Sequence, residues 1–87
     1  MSAAIKQSRL LTLITLASAE VEIALESNSM NIKKVSWRKI KYWLTQIGGL
    51  LFDYDVKTTE ENKEDVYKII NKVDQLLRQF PNLQKME

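Results

Sequence analysis

Glycine occurs only at positions 48 and 49 and proline only at 81, so this 87-residue chain has almost no material for tight turns. A fold of many short strands needs such turns every few residues; a few long helices do not. The apolar spacing agrees. Projected at about 100° per residue, Trp37, Ile40, Trp43, Leu44, Ile47, Leu50, Leu51 and Tyr54 fall on an arc of about 140°, and Val66, Ile69, Ile70, Val73, Leu76, Leu77, Phe80 and Leu83 cover another of the same width. Each is the core-facing stripe of an amphipathic helix. Caps and breakers set the boundaries: a polar stretch over 27–31 reads as a loop, Ser36 as the N-cap of the second helix, Thr58 or Thr59 as the start of the third with a Thr58–Glu61 capping box, and Pro81 as its end. The predicted elements are helices over about 2–27, 36–54 and 59–80 of one all-α domain spanning 1–87, because a chain this short supports a single core.

Helix one departs from the other two. Ile5, Leu10, Leu11, Leu13, Ile14, Leu16, Ala17, Val21, Ile23, Ala24 and Leu25 spread over about 240° of its surface, wider than two neighbours in a three-helix bundle require. Two readings follow: helix one lies at the middle of its own bundle, or a second chain covers the excess. The second is preferred, which predicts a homodimer with Leu13, Leu16, Glu20 and Ile23 at its interface. Glu20 projects among these apolar residues and needs a partner there, either a lysine of a neighbouring helix or a group that sets the register of the seam.

Charge placement predicts the order of packing. Lys6 and Arg9 lie early and Glu20, Glu22 and Glu26 late in helix one, while Lys33, Lys34, Arg38, Lys39 and Lys41 open helix two; each arrangement opposes its own helix dipole. An antiparallel pairing turns both conflicts into favourable contacts. Helix three, acidic at Glu60, Glu61, Glu64 and Asp65 and basic at Lys72, Arg78 and Lys85, then runs parallel to helix one, giving an up-down-up bundle.

The opening resembles a secretory signal only in part. Lys6 and Arg9 precede an apolar run, but Thr12 and Thr15 interrupt it and the helical pattern continues in phase through Leu25, so the segment reads as a structural helix and the protein as cytoplasmic. Ten apolar residues are half of what a membrane-spanning helix needs.

The absence of His and Cys removes the usual general base, thiolate nucleophiles, disulfides and most metal sites. No pair of Lys, Tyr or carboxylate residues has a spacing that joins an acid and a base, and Asp53, Asp55, Glu60 and Glu61 lack the pattern of a calcium loop. The reading is therefore a non-catalytic interaction protein without cofactor or metal: a small adaptor, inhibitor or assembly factor. Its expected partner-binding surface is the outer face of helix two, where Lys34, Arg38, Lys41, Tyr42 and Phe52 surround Gly48 and Gly49, and the matching partner is an acidic protein. Basic residues interleaved with aromatics over 33–43 make a nucleic-acid or anionic-surface binder the alternative. Trp37 and Trp43 belong to the core stripe, which leaves that alternative without its main stacking platforms. Two adjacent glycines in a helix cost about 2 kcal/mol relative to alanines, so the pair marks either a local break or a close approach by another backbone.

Overall fold

The computed structural model describes residues 2–85 and contains three long helices, α1 (Ala3–Glu26), α2 (Met30–Leu51) and α3 (Glu60–Gln79), followed by a 3-10 turn (Pro81–Lys85). Each long helix opens on a hydroxyl cap. Ser2 Oγ accepts the amide of Ile5 at 3.2 Å, Ser29 Oγ that of Ile32 at 3.3 Å, and Thr59 Oγ1 that of Asn62 at 3.1 Å. Both boundaries of the second helix differ from the sequence reading: it begins at Met30 rather than after Ser36 and ends at Leu51 rather than near 54. The third starts from Thr59, one of the two expected positions, but the cap faces Asn62 rather than forming the Thr58–Glu61 box.

The early start of α2 leaves no apolar stripe in the sequence, for a physical reason. In its first two turns Ile32 and Val35 are about half exposed while Lys33 is buried, the inverse of amphipathic order. Lys33 threads inward so that its ammonium donates to the Ala24 carbonyl at 2.6 Å and lies 4.5 Å from the centre of the Phe80 ring. It supplies the cation that the last turn of α1 lacks.

α2 runs without a break through Gly48 and Gly49, both at negative φ, and ends at Leu51. Phe52 caps it, so Tyr54, projected onto the core stripe, lies outside the helix and is fully exposed. Ile70 is likewise half exposed rather than core. Pro81 ends α3 as expected, and the 3-10 turn it opens returns Leu83 to the interior.

The three-residue α1–α2 loop forces antiparallel packing. Lys6 near the start of α1 meets Asp53 and Asp55 just beyond α2, Gln7 exchanges hydrogen bonds with the Lys57 backbone, and Glu22 pairs with Lys72 of α3. These contacts place α3 parallel to α1, which makes the bundle up-down-up. α1 is the central element: both other helices pack on it, and α2 and α3 make no close backbone approach to each other. Leu10, Ala17, Val21 and Ala24 of α1 are fully buried, and Ile40, Ile47, Ile69, Leu76 and Leu83 close over them. Trp37 is buried, with Trp43 and Leu44 partly buried beside it. The Trp37 indole N–H is buried, with no hydrogen-bond acceptor among the described residues.

Candidate interaction surfaces

The central position of α1 accounts for only part of its wide apolar arc. Leu10, Leu13, Ile14 and Ala17 face the other helices, but Ile5, Leu11, Leu16 and Ile23 remain between 41% and 57% exposed on its outer side. Of the four residues expected at a dimer interface, Leu13 and Glu20 are covered by the chain itself, whereas Leu16 and Ile23 lie open. Half-exposed Ile32 and Val35 of α2 adjoin Ile23 across a groove, so one apolar surface extends over both helices. The sequence reading misses Ile32 and Val35 because it starts the second helix only at Ser36, after both of them.

Glu20 lies at the floor of that groove. Its Oε2 accepts from the Ser36 hydroxyl at 2.7 Å, and its Oε1 stands 3.5 Å from the half-exposed Lys39 ammonium. The sequence predicts a lysine of a neighbouring helix as one partner for Glu20; it does not predict the hydroxyl, because it places Ser36 at a helix cap. Ser36 sits instead in the interior of α2, one turn before Ile40, on the side that faces α1.

The five basic residues at the start of α2 do not form one surface. Lys33 points into the core and Lys39 turns towards Glu20, which leaves Lys34, Arg38 and Lys41 on the outer flank. Phe52 projects onto the same flank and is 90% exposed; Tyr42 is exposed one step round the helix. The Lys41 ammonium stands 5.7 Å from the centre of the Trp37 ring. Among the described residues, no atom beyond the adjoining residues and backbone of α2 itself lies within 4 Å of a Cβ built on Gly48 or Gly49, so the glycines accommodate no close crossing by another described helix.

Asp53 and Asp55 are committed to Lys6, at 2.9 and 3.1 Å. The hydrogen bond from Lys6, reinforced by the Asp55 backbone amide, holds the Asp53 carboxyl below its ordinary range, and the same acids, Asp53 first, hold the Lys6 ammonium above its own. Among the described residues no three acidic, His or Cys side chains converge on a point that could hold a metal ion. Among those residues, too, no helix is long and apolar enough to cross a membrane. No protein-family model, curated protein or solved structure matches this chain.

Proposed function

We propose that this chain is a non-catalytic, cytoplasmic protein-interaction module that forms a homodimer through α1 and uses the outer face of α2 to dock an acidic protein partner. The uncovered apolar surface carries this reading: exposed Ile23 of α1 adjoins Ile32 and Val35 of α2, exposed Leu16 lies two turns earlier on the same flank of α1, and exposed aliphatic patches of this kind mark docking sites on small proteins. A homodimer interface of standard size takes roughly 800 Å² from each partner. Such an interface holds well below 100 μM. Sedimentation of the wild-type chain at about 100 μM is expected to show a dimer, and Leu16→Glu or Ile23→Glu a monomer. A wild-type monomer at that concentration removes the homodimer from the reading.

The docking face on α2 has a separate test. Arg38 and Phe52 are exposed, so the double change Arg38→Ala with Phe52→Ala is expected to stay folded and to lose the partner. Unchanged capture of the same partner by the folded variant moves the site elsewhere, first to the apolar side of α1.

One observation favours binding to nucleic acid or an anionic surface instead: Lys34, Arg38 and Lys41 share a flank with exposed Phe52 and adjoin exposed Tyr42. Three phosphate contacts give a log–log salt slope of about −2.7, a loss of about 40-fold between 50 and 200 mM salt. An apolar protein contact responds far less, so a salt titration separates the two.

A further inference from the structure

We infer that the groove between α1 and α2 receives the amino-terminal half of α1 from a second copy of this chain, in an antiparallel two-fold dimer keyed by Arg9 of each copy against Glu20 of the other. The inference rests on the homodimer reading and adds the orientation, the register and the residue that sets it.

Ile5, Leu16 and Ile23 lie within about 20° of one another around α1, because their separations of eleven, seven and eighteen residues are near whole numbers of turns. All three are exposed, and Arg9 and Glu20 lie along the same flank. At one end of this flank Arg9 is exposed and pairs with no acid among the described residues. At the other end Glu20 is buried, and among the described residues its partners are the Ser36 hydroxyl at 2.7 Å and the Lys39 ammonium at 3.5 Å, so a carboxylate oxygen at the groove floor retains acceptor capacity.

A two-fold axis at the level midway between residues 14 and 15 brings these features together. Arg9 of one copy then stands level with Glu20 of the other, and Ile5 falls about 1.5 Å in axial position from Ile23 of the other copy, over the apolar walls made by Ile32 and Val35. The charge order of α1 requires this direction: the basic half, with Lys6 and Arg9, meets the acidic half, with Glu20, Glu22 and Glu26, whereas a parallel pairing sets like charges side by side. A charged pair within an apolar seam fixes one alignment, which gives the otherwise unfavourable burial of Glu20 a use.

The chain contains no cysteine, so single cysteines report contacts without background. In the inferred dimer the two Ile5 positions are about 28 Å apart along the helix axis and the two Ile23 positions about 25 Å, too far for a disulfide, while Ile5 and Ile23 of opposite copies are neighbours. A mixture of Ile5→Cys and Ile23→Cys chains is therefore expected to cross-link between the two variants under mild oxidation, with neither variant cross-linking to itself. Self-cross-linking of Ile5→Cys shows a parallel dimer; it overturns the inference and leaves the homodimer standing. A wild-type monomer in sedimentation overturns both. Arg9→Ala and Glu20→Gln are each expected to weaken the dimer at least tenfold, and the double variant to be no weaker than the worse single one. Fully additive losses overturn the Arg9–Glu20 pairing.

Discussion

Replacing both glycines of α2 by alanine should make the protein more stable. The pair lies in the last turn of a continuous helix at negative φ, and a Cβ added at either position meets, among the described residues, no atom within 4 Å beyond the adjoining residues and backbone of its own helix. Neither strain nor a clash therefore opposes the substitution. What remains is the backbone freedom that glycine loses on folding, about 0.8–1 kcal/mol per residue in a helix interior and less at a helix end. Taking about 0.5–1 kcal/mol per site, Gly48→Ala with Gly49→Ala is expected to add about 1–2 kcal/mol. For a domain of this size that raises the melting temperature by roughly 4–16 °C, and with a urea m-value near 1 kcal/mol/M it moves the midpoint by about 1–2 M at constant slope. Circular dichroism during thermal and urea unfolding measures both. A variant no more stable than wild type refutes the reasoning, because it means that the glycine positions are not ordinary helix in solution. If the stabilised variant also fails to bind its partner, the glycines serve as the gap into which that partner fits.

Ile40→Ala, at a fully buried site, is expected to cost about 2–5 kcal/mol by urea denaturation and Leu44→Ala clearly less, since Leu44 is only partly covered; equal losses contradict the burial order. Lys33→Ala removes a charged hydrogen bond and a buried stem, so a loss of about 2–4 kcal/mol is expected, with Lys33→Met losing less because it keeps the stem; an unchanged midpoint for Lys33→Ala contradicts the inward placement. The depressed Asp53 carboxyl contributes stability above its unfolded pKa that is lost as the pH falls through its folded value, and the raised Lys6 ammonium contributes stability below 10.5 that is lost as the pH rises through its folded value. Nuclear magnetic resonance titration should place the Asp53 midpoint below 3.8 and return it upwards in Lys6→Met; a midpoint at or above 3.8 in the wild type argues against the contact.

Helical class, helix number and the antiparallel order were legible in the chain because they depend on quantities local to it: scarce Gly and Pro, apolar spacing near 3.6 residues, and charges set against each helix dipole. Pro81 ended α3 where its ring geometry demands. Three-dimensional packing decided the rest. Lys33 reads as part of a solvated basic run, yet it is buried, because the carbonyl of Ala24 across the short loop and the ring of Phe80, far away in the chain, converge on its ammonium. Ser36 reads as a helix cap, yet it holds Glu20, because the short loop starts α2 at Met30 and brings these residues of two helices side by side. The same packing divided the broad apolar surface of α1. A periodicity shows how much of a helix is apolar; only the placement of α2 and α3 on α1 determines which part of that surface the chain buries and which part it leaves for another molecule.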